Sequence, residues 1–136
     1  MSLELLDKLV AERGIRSLVS RYAQHADDND YDGWVALFAD DASLDTGREQ
    51  VTGVAGLRTW LHSVQSDNPM RHLVSDVDIA VESLTAAPGV MDLLLLAGSE
   101  GRWAVLGTMR YIDRYVRVDG EWRFSARAIE LRRPPG

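Results

Sequence analysis

A chain of 136 residues, 46% hydrophobic and 26% charged, has the make-up of one soluble globular domain that buries roughly two-thirds of its unfolded surface. Its net charge of −6 argues against a general nucleic-acid or anionic-membrane binder, which needs clustered Lys and Arg, and its lack of cysteine excludes disulfides, thiolate catalysis and sulfur-ligated metals. No apolar run approaches the roughly 20 residues that span a bilayer, and the N-terminal Met1-Ser2-Leu3-Glu4-Leu5-Leu6 lacks the basic region of a secretory signal, so a cytoplasmic protein is expected.

From Leu3 to about His25, apolar residues recur at Leu6, Leu9, Val10, Ile15, Leu18, Val19 and Tyr22, a helical spacing with a candidate break at Gly14. Asp27-Asp28-Asn29-Asp30 ends that helix. Asp30 is suited to N-cap a short second helix through Tyr31, Trp34, Val35, Leu37 and Phe38. Ala42-Ser43-Leu44-Asp45 alternates like a short strand before a Thr46-Gly47 turn. Thr52 or Gly53 starts a third helix with Val54, Leu57, Trp60, Leu61 and Val64 on one stripe, and Asn68-Pro69 ends it.

Beyond that point the period becomes strand-like. His72 to Val81, Val90 to Ala97 and Trp103 to Val118 read as strands. Asp119-Gly120, between Val116-Arg117-Val118 and Trp122-Arg123-Phe124, signals a hairpin. The last strand continues to about Leu131, with Arg132-Arg133-Pro134-Pro135-Gly136 as a frayed tail. Arg110, Arg114, Arg117, Arg123, Arg127, Arg132 and Arg133 are spread over this hairpin, which reads as solvated strand faces. Helices first and antiparallel strands second make an α+β domain, the helices covering one face of a long, curved sheet.

The residues that carry chemistry are few. Tyr22 and Asp27 lie five apart on the first helix, and His72 opens a strand. A carboxylate that holds a neutral imidazole in one tautomer makes a general base poised near neutral pH. Five residues along a helix is an offset of about 140°, so Tyr22 and Asp27 share a face only loosely unless the helix ends near Asp27 and swings the carboxylate inward. Asp28-x-Asp30-x-Asp32-Gly33 echoes the start of a calcium loop, but the twelfth position is Ala39, where a bidentate carboxylate is required. Those aspartates read as solvated and capping groups. His25 and His62 have no partner at ligand spacing, and no metal or cofactor is expected.

Strand alternation suggests a pocket wall of Leu93 and Leu95 on one strand and Met109 and Tyr111 on the next. Trp34, Phe38 and Trp60 join them from the helices. Such a lining suits a small, largely apolar molecule. Asp113 shares the Met109 and Tyr111 face and reads as one half of a cross-strand ion pair with an arginine.

Four features in order carry a resemblance: Tyr22-x4-Asp27 followed by Asp30-Tyr31-Asp32; Leu37-Phe38-Ala39-Asp40-Asp41-Ala42; His72-Leu73-Val74; and Arg117-Val118-Asp119-Gly120-Glu121-Trp122-Arg123-Phe124-x2-Arg127. The chain resembles the SnoaL-like branch of the nuclear transport factor two-like superfamily over about residues 10–131 of a single 1–136 domain. That resemblance implies a cone-shaped α+β barrel, three N-terminal helices packed on a strongly curved mixed β-sheet that encloses a pocket. It also implies a homodimer or homotrimer, for this superfamily commonly packs its sheets together.

Within the superfamily, the similarity is to its dehydratases and dehydrochlorinase. They pair a first-helix aspartate with a histidine on the strand after the third helix, here Asp27 and His72. Tyr22 matches the tyrosine of the bile-acid dehydratase, an acid or hydrogen-bond donor. Arg127 matches the dehydrochlorinase's pocket arginine, an anion stabiliser; otherwise it is an exposed strand residue or a partner for Glu130. Leu93-Leu94-Leu95-Leu96 and Ala26 stand where scytalone dehydratase has a second histidine and a tyrosine, so its particular reaction is not implied. The activity implied is a cofactor-independent dehydratase-like lyase. The alternatives are an isomerase or polyketide cyclase using the same base, or a non-catalytic assembly protein resembling a ring-hydroxylating dioxygenase β subunit.

Overall fold

The first helix, α1, runs without interruption over Leu5–Asp27. The computed structural model describes residues 4–136, so the predicted start at Leu3 lies outside the described residues. Ala11, Ile15, Leu18, Val19, Tyr22, Ala23 and Ala26 are buried, one stripe at the helical period. Gly14 does not break it. A Cβ there would stand 2.8 Å from Trp122 Cδ1, so glycine lets the helix ride close over an indole. Leu6, Leu9 and Val10, read as part of the stripe, are instead 70%, 53% and 63% exposed.

Helix α1 closes with Asp28 N–H bonded to Gln24 O at 2.9 Å and Asn29 in the left-handed region at φ 55°, a common helix C-terminus. Asp30 then caps α2 (Tyr31–Val35), its carboxylate accepting the Gly33 N–H at 2.9 Å. This helix stops short of its predicted end, because Phe38 opens β1 (Phe38–Asp45). The short β2 (Gln50–Thr52) pairs antiparallel with β1. Gly53, at φ +80°, then turns the chain into α3 (Gly53–Val64), which ends before Asn68-Pro69.

Four long strands complete the chain: β3 (Met70–Ile79), β4 (Ala86–Ser99), β5 (Arg102–Val118) and β6 (Glu121–Arg132). The sheet order is β2-β1-β6-β5-β4-β3. Every neighbour pair is antiparallel except β1 with β6, which is parallel. The sheet is therefore mixed, as the resemblance implied, and the strands of the second half are antiparallel among themselves, as their period suggested. The first strand returns to the last through the whole intervening chain, and such a crossover allows parallel pairing. Arg132 belongs to β6 rather than to a frayed tail.

Asp119 and Gly120 both adopt positive φ, 51° and 83°, as the predicted two-residue hairpin requires. Glu100 (φ 53°) and Gly101 (φ 75°) repeat that turn between β4 and β5. Register shifts interrupt the β1–β6, β3–β4, β4–β5 and β5–β6 pairings, and each bulge bends its strand. The sheet curls accordingly, and the helices close its concave side. Helix α1 packs on β3 and β6, α3 on β1 and β2, and α2 sits between α1 and α3. The result is an α+β fold with a curled, mixed sheet under its helices.

Candidate active site

The last turn of α1 meets the first residues of β3 at Asp27. The Asp27 Oδ1 stands 2.6 Å from His72 Nδ1, and the His72 backbone N–H reaches Oδ1 at 3.0 Å and Oδ2 at 3.1 Å. One carboxylate thus holds both the main chain and the ring of the same residue. Arg71 Nε lies 3.5 Å from Oδ2, on a side chain 57% exposed. The two partners are nearly out of solvent, 10% exposed for the Asp27 side chain and 15% for His72. An ionised carboxylate can only accept, so Nδ1 carries the proton, and in the neutral ring Nε2 keeps its lone pair. The helix does not need to unwind to present Asp27. It stays regular to that residue, and β3 comes to it.

The His72 ring lines a cavity of about 260 Å³. Tyr22 and five residues named for the wall from the sequence (Trp34, Trp60, Leu95, Met109 and Tyr111) line the same space. Leu95 faces His72 directly across the β3–β4 pairing. Phe38 and Leu93 are not in the wall. Phe38, 1% exposed, backs Trp34 and Phe124 with ring centroids at 4.6 and 5.2 Å, and Leu93 is 3% exposed in the core. Leu93 belongs to the same strand as Leu95 but lies in the core, and Phe38 comes from β1 rather than from α2.

The sequence reading missed Ala26, Leu61, Val64, Gln65, Met70, Thr46 and Ile129. Ala26 lies four residues beyond Tyr22, so helical periodicity could have found it. Leu61 and Val64 were already on the α3 stripe. Ile129 was not accessible to such reasoning, because only the strand register puts it opposite Tyr111.

Arg127 is neither exposed nor a partner of Glu130, which pairs with Arg132 at 3.8 Å. Its side chain is completely buried and is gripped at two points by Asp113, Nε–Oδ1 2.7 Å and Nη2–Oδ2 2.7 Å. Asp113 also accepts from the Tyr115 hydroxyl at 2.8 Å. The expected cross-strand pair of Asp113 with an arginine is therefore this one, and Arg127 is the exception among the solvated strand arginines. The guanidinium sits 4.3 Å from the Tyr22 ring centroid, 4.4 Å from Tyr111 and 4.2 Å from Phe124. It backs the cavity wall without being part of it.

Burial pulls the Arg127 pKa down, but the charge and hydrogen bonds of Asp113 outweigh it and leave Arg127 above the usual guanidinium value. Burial raises Tyr22 above an ordinary phenol, although the charge of Arg127 offsets part of the rise. Tyr111 is pushed up further by burial and by the neighbouring Tyr22. Both phenols are protonated in the neutral range. No lining residue is Asp, Glu, Lys or Arg.

The aspartates of the calcium-like run have other duties. Asp30 caps α2 and meets His25 Nδ1 at 3.0 Å, while Asp32 reaches Arg58 at 2.7 Å. His62 stacks on Tyr31 at 3.9 Å between ring centroids. Among the described residues no helix is long and apolar enough to cross a membrane.

This arrangement can be set beside known proteins. No curated protein matches the chain. Among solved structures, a putative scytalone dehydratase from Novosphingobium aromaticivorans superposes with a TM-score of 0.86 at 24% identity, covering 96% of this chain and 89% of its own. A protein of unknown function from Mycobacterium tuberculosis gives 0.87 at 24% identity, with 98% and 79% covered. A type 3 hexachlorocyclohexane dehydrochlorinase from Novosphingobium barchaimii gives 0.81 at 20% identity, with 96% and 92% covered. At these identities the likeness is one of fold. The SnoaL-like domain model matches residues 7–128. With that match over nearly its whole length, this chain belongs to the SnoaL-like domain family.

Proposed function

We propose that the protein is a cofactor-independent lyase that removes water or a related leaving group from a small, mostly apolar substrate. The observation that carries this reading is the Asp27–His72 pair at 2.6 Å, with its imidazole on the wall of an apolar cavity free of charged side chains. His72 Nε2 takes a proton from carbon, and Asp27 stabilises the imidazolium that forms. The C–H electron pair becomes a C=C bond as the leaving group departs from the adjacent carbon. Tyr22 hydrogen-bonds to the substrate at that end of the cavity. Arg127 acts only through the tyrosine rings it supports, since it does not reach the space. Support from outside the chain comes from two structural neighbours named for eliminations, a putative dehydratase and a dehydrochlorinase.

The test is a screen of compounds with a hydroxyl or halogen β to an acidic C–H. Product C=C absorbance or released halide is followed for wild type and His72→Gln. Turnover that falls about 10²–10⁴-fold in the variant is expected. Proton exchange at carbon without loss of a leaving group would replace the lyase with an isomerase or cyclase. Inactivity in both assays, with a large subunit copurifying, would favour the assembly role.

A further inference from the structure

One indole of α3 has open space on two sides. Trp60 lines the cavity of about 260 Å³, and it also lines a groove of about 680 Å³ on the outside, between β2 and α3. Among the described residues no other lines both. Toward the core the ring stacks on Trp34, with centroids 6.1 Å apart and 30° between planes. Outside, the groove is floored by Val51 of β2 with Ala55 and Gly56 of α3. Gly56 lies four residues before Trp60, and a helical side chain leans back over that position. A Cβ at Gly56 would stand 3.3 Å from Val51 Cγ1, so glycine keeps the groove open beside the indole. An interior glycine weakens a helix, so this space is kept against local preference.

We infer that Trp60 is a specificity-determining residue: its indole is the septum that ends the cavity toward β2 and so limits the length of the ligand. Resting on the reading of the cavity as the substrate site, this bounds the substrate. At about 260 Å³ the inner space falls just under the usual range for drug-sized ligands, so it takes a compact apolar molecule and excludes a chain that would cross the indole. At the mouth Val64 is 46% exposed, and atoms of a ligand that pass it stay in water and add little affinity. Shortening the Trp60 side chain opens the other way out, because a single side chain parts the two spaces. Their chemistry differs. The inner wall carries no charged side chain among the described residues, whereas Glu49, Gln50 and Thr52 line the groove. A chain that passes the septum therefore ends best in an uncharged polar group, which those side chains can hydrogen-bond.

The probes are ω-phenylalkanamides of increasing chain length, with a phenyl ring for the cavity and an amide at the far end. Binding is read by calorimetry. In the wild type each added methylene is expected to tighten binding about fourfold while it is buried, and to add nothing once the cavity is full. Trp60→Leu should move that break to a longer chain. In the same variant, chains past the wild-type break should shift the amide NMR signals of Val51 and Gly56, which stay still in the wild type. Trp60→Phe keeps a smaller ring and should place the break between the two, so a Trp60→Leu protein that fails to fold does not end the test. An unchanged break in the folded variants would overturn the septum. So would a wild-type affinity that keeps rising with chain length, or a wild type that binds no member of the series. The amides carry no leaving group, so the break is read apart from the chemistry. A break that moves, with no turnover in the elimination screen, would sink the lyase and leave the septum standing. Turnover that depends on His72, with an unmoved break, would do the reverse.

Discussion

At the scale of single residues, Asp27 ties down both halves of His72: its two oxygens share the main-chain N–H, and one of them also meets the ring. Asp27→Asn keeps acceptors for the main chain but loses the charge, and its amide can present a donor to Nδ1. The proton then moves to Nε2, the wrong nitrogen for a base. A fall of about 10²–10⁴-fold in turnover of the elimination substrate is expected, read by C=C absorbance or released halide, with the fold intact by circular dichroism. Asp113 and Arg127 set a different problem, because both side chains are 0% exposed. Asp113→Ala strands a buried guanidinium and should cost about 3–5 kcal/mol in urea unfolding. The double variant Asp113→Leu, Arg127→Met removes both charges and should recover most of that loss. The residue types of the dyad were legible in the sequence, since few others offer this chemistry. The burial of Arg127 was not, since Arg123, Ser125 and Arg127 at alternate positions of β6 read equally well as a solvated face.

Among the elements, the curl of the sheet depends on where side chains are missing. Gly89 pairs with Asp113 across β4 and β5, and a Cβ there would lie 2.7 Å from Tyr115 Cε2 and 3.2 Å from Asp78 O. Glycine makes room for the ring that hydrogen-bonds Asp113. Gly89→Ala is therefore expected to destabilise the protein by about 1–3 kcal/mol and to lower the thermal midpoint. Asp30→Ala tests a smaller device. It removes the α2 cap and should cost about 1 kcal/mol, read as a shift in the denaturant midpoint. Helices α1 and α3 and the Asp119-Gly120 hairpin were readable from period and turn chemistry. Strand β2 was not, because three residues are too few to show alternation. The parallel β1–β6 pair was not either, because no local pattern records which distant strand is the neighbour.

Taken as a whole, the molecule stores three phenols in a common apolar centre. Burial raises Tyr22, Tyr111 and Tyr115 above the ordinary tyrosine value of 10.0. In the unfolded chain these phenols ionise near pH 10, so there the unfolded state loses protons before the folded one. Stability is then fully present below about pH 10 and falls as pH rises beyond it. Unfolding followed by urea between pH 8 and pH 11.5 should show a level limb and then a decline. In the folded protein, tyrosinate absorbance should lag behind that of the denatured chain. A decline beginning near pH 7 would point to other groups.

The amino-acid sequence by itself determined the α+β class, most element positions, the Asp27, His72 and Tyr22 candidates and the family. Each of these is written in residue type and short-range period. The tertiary structure alone decided that β3 delivers His72 to the end of an intact helix, that Arg127 is sealed behind the wall it was expected to line, and that Phe38 and Leu93 sit in the core rather than on the cavity wall. These are matters of strand register and sheet curvature. Both depend on pairings between residues far apart in the chain, where a shift of one position turns a side chain from the cavity to the solvent.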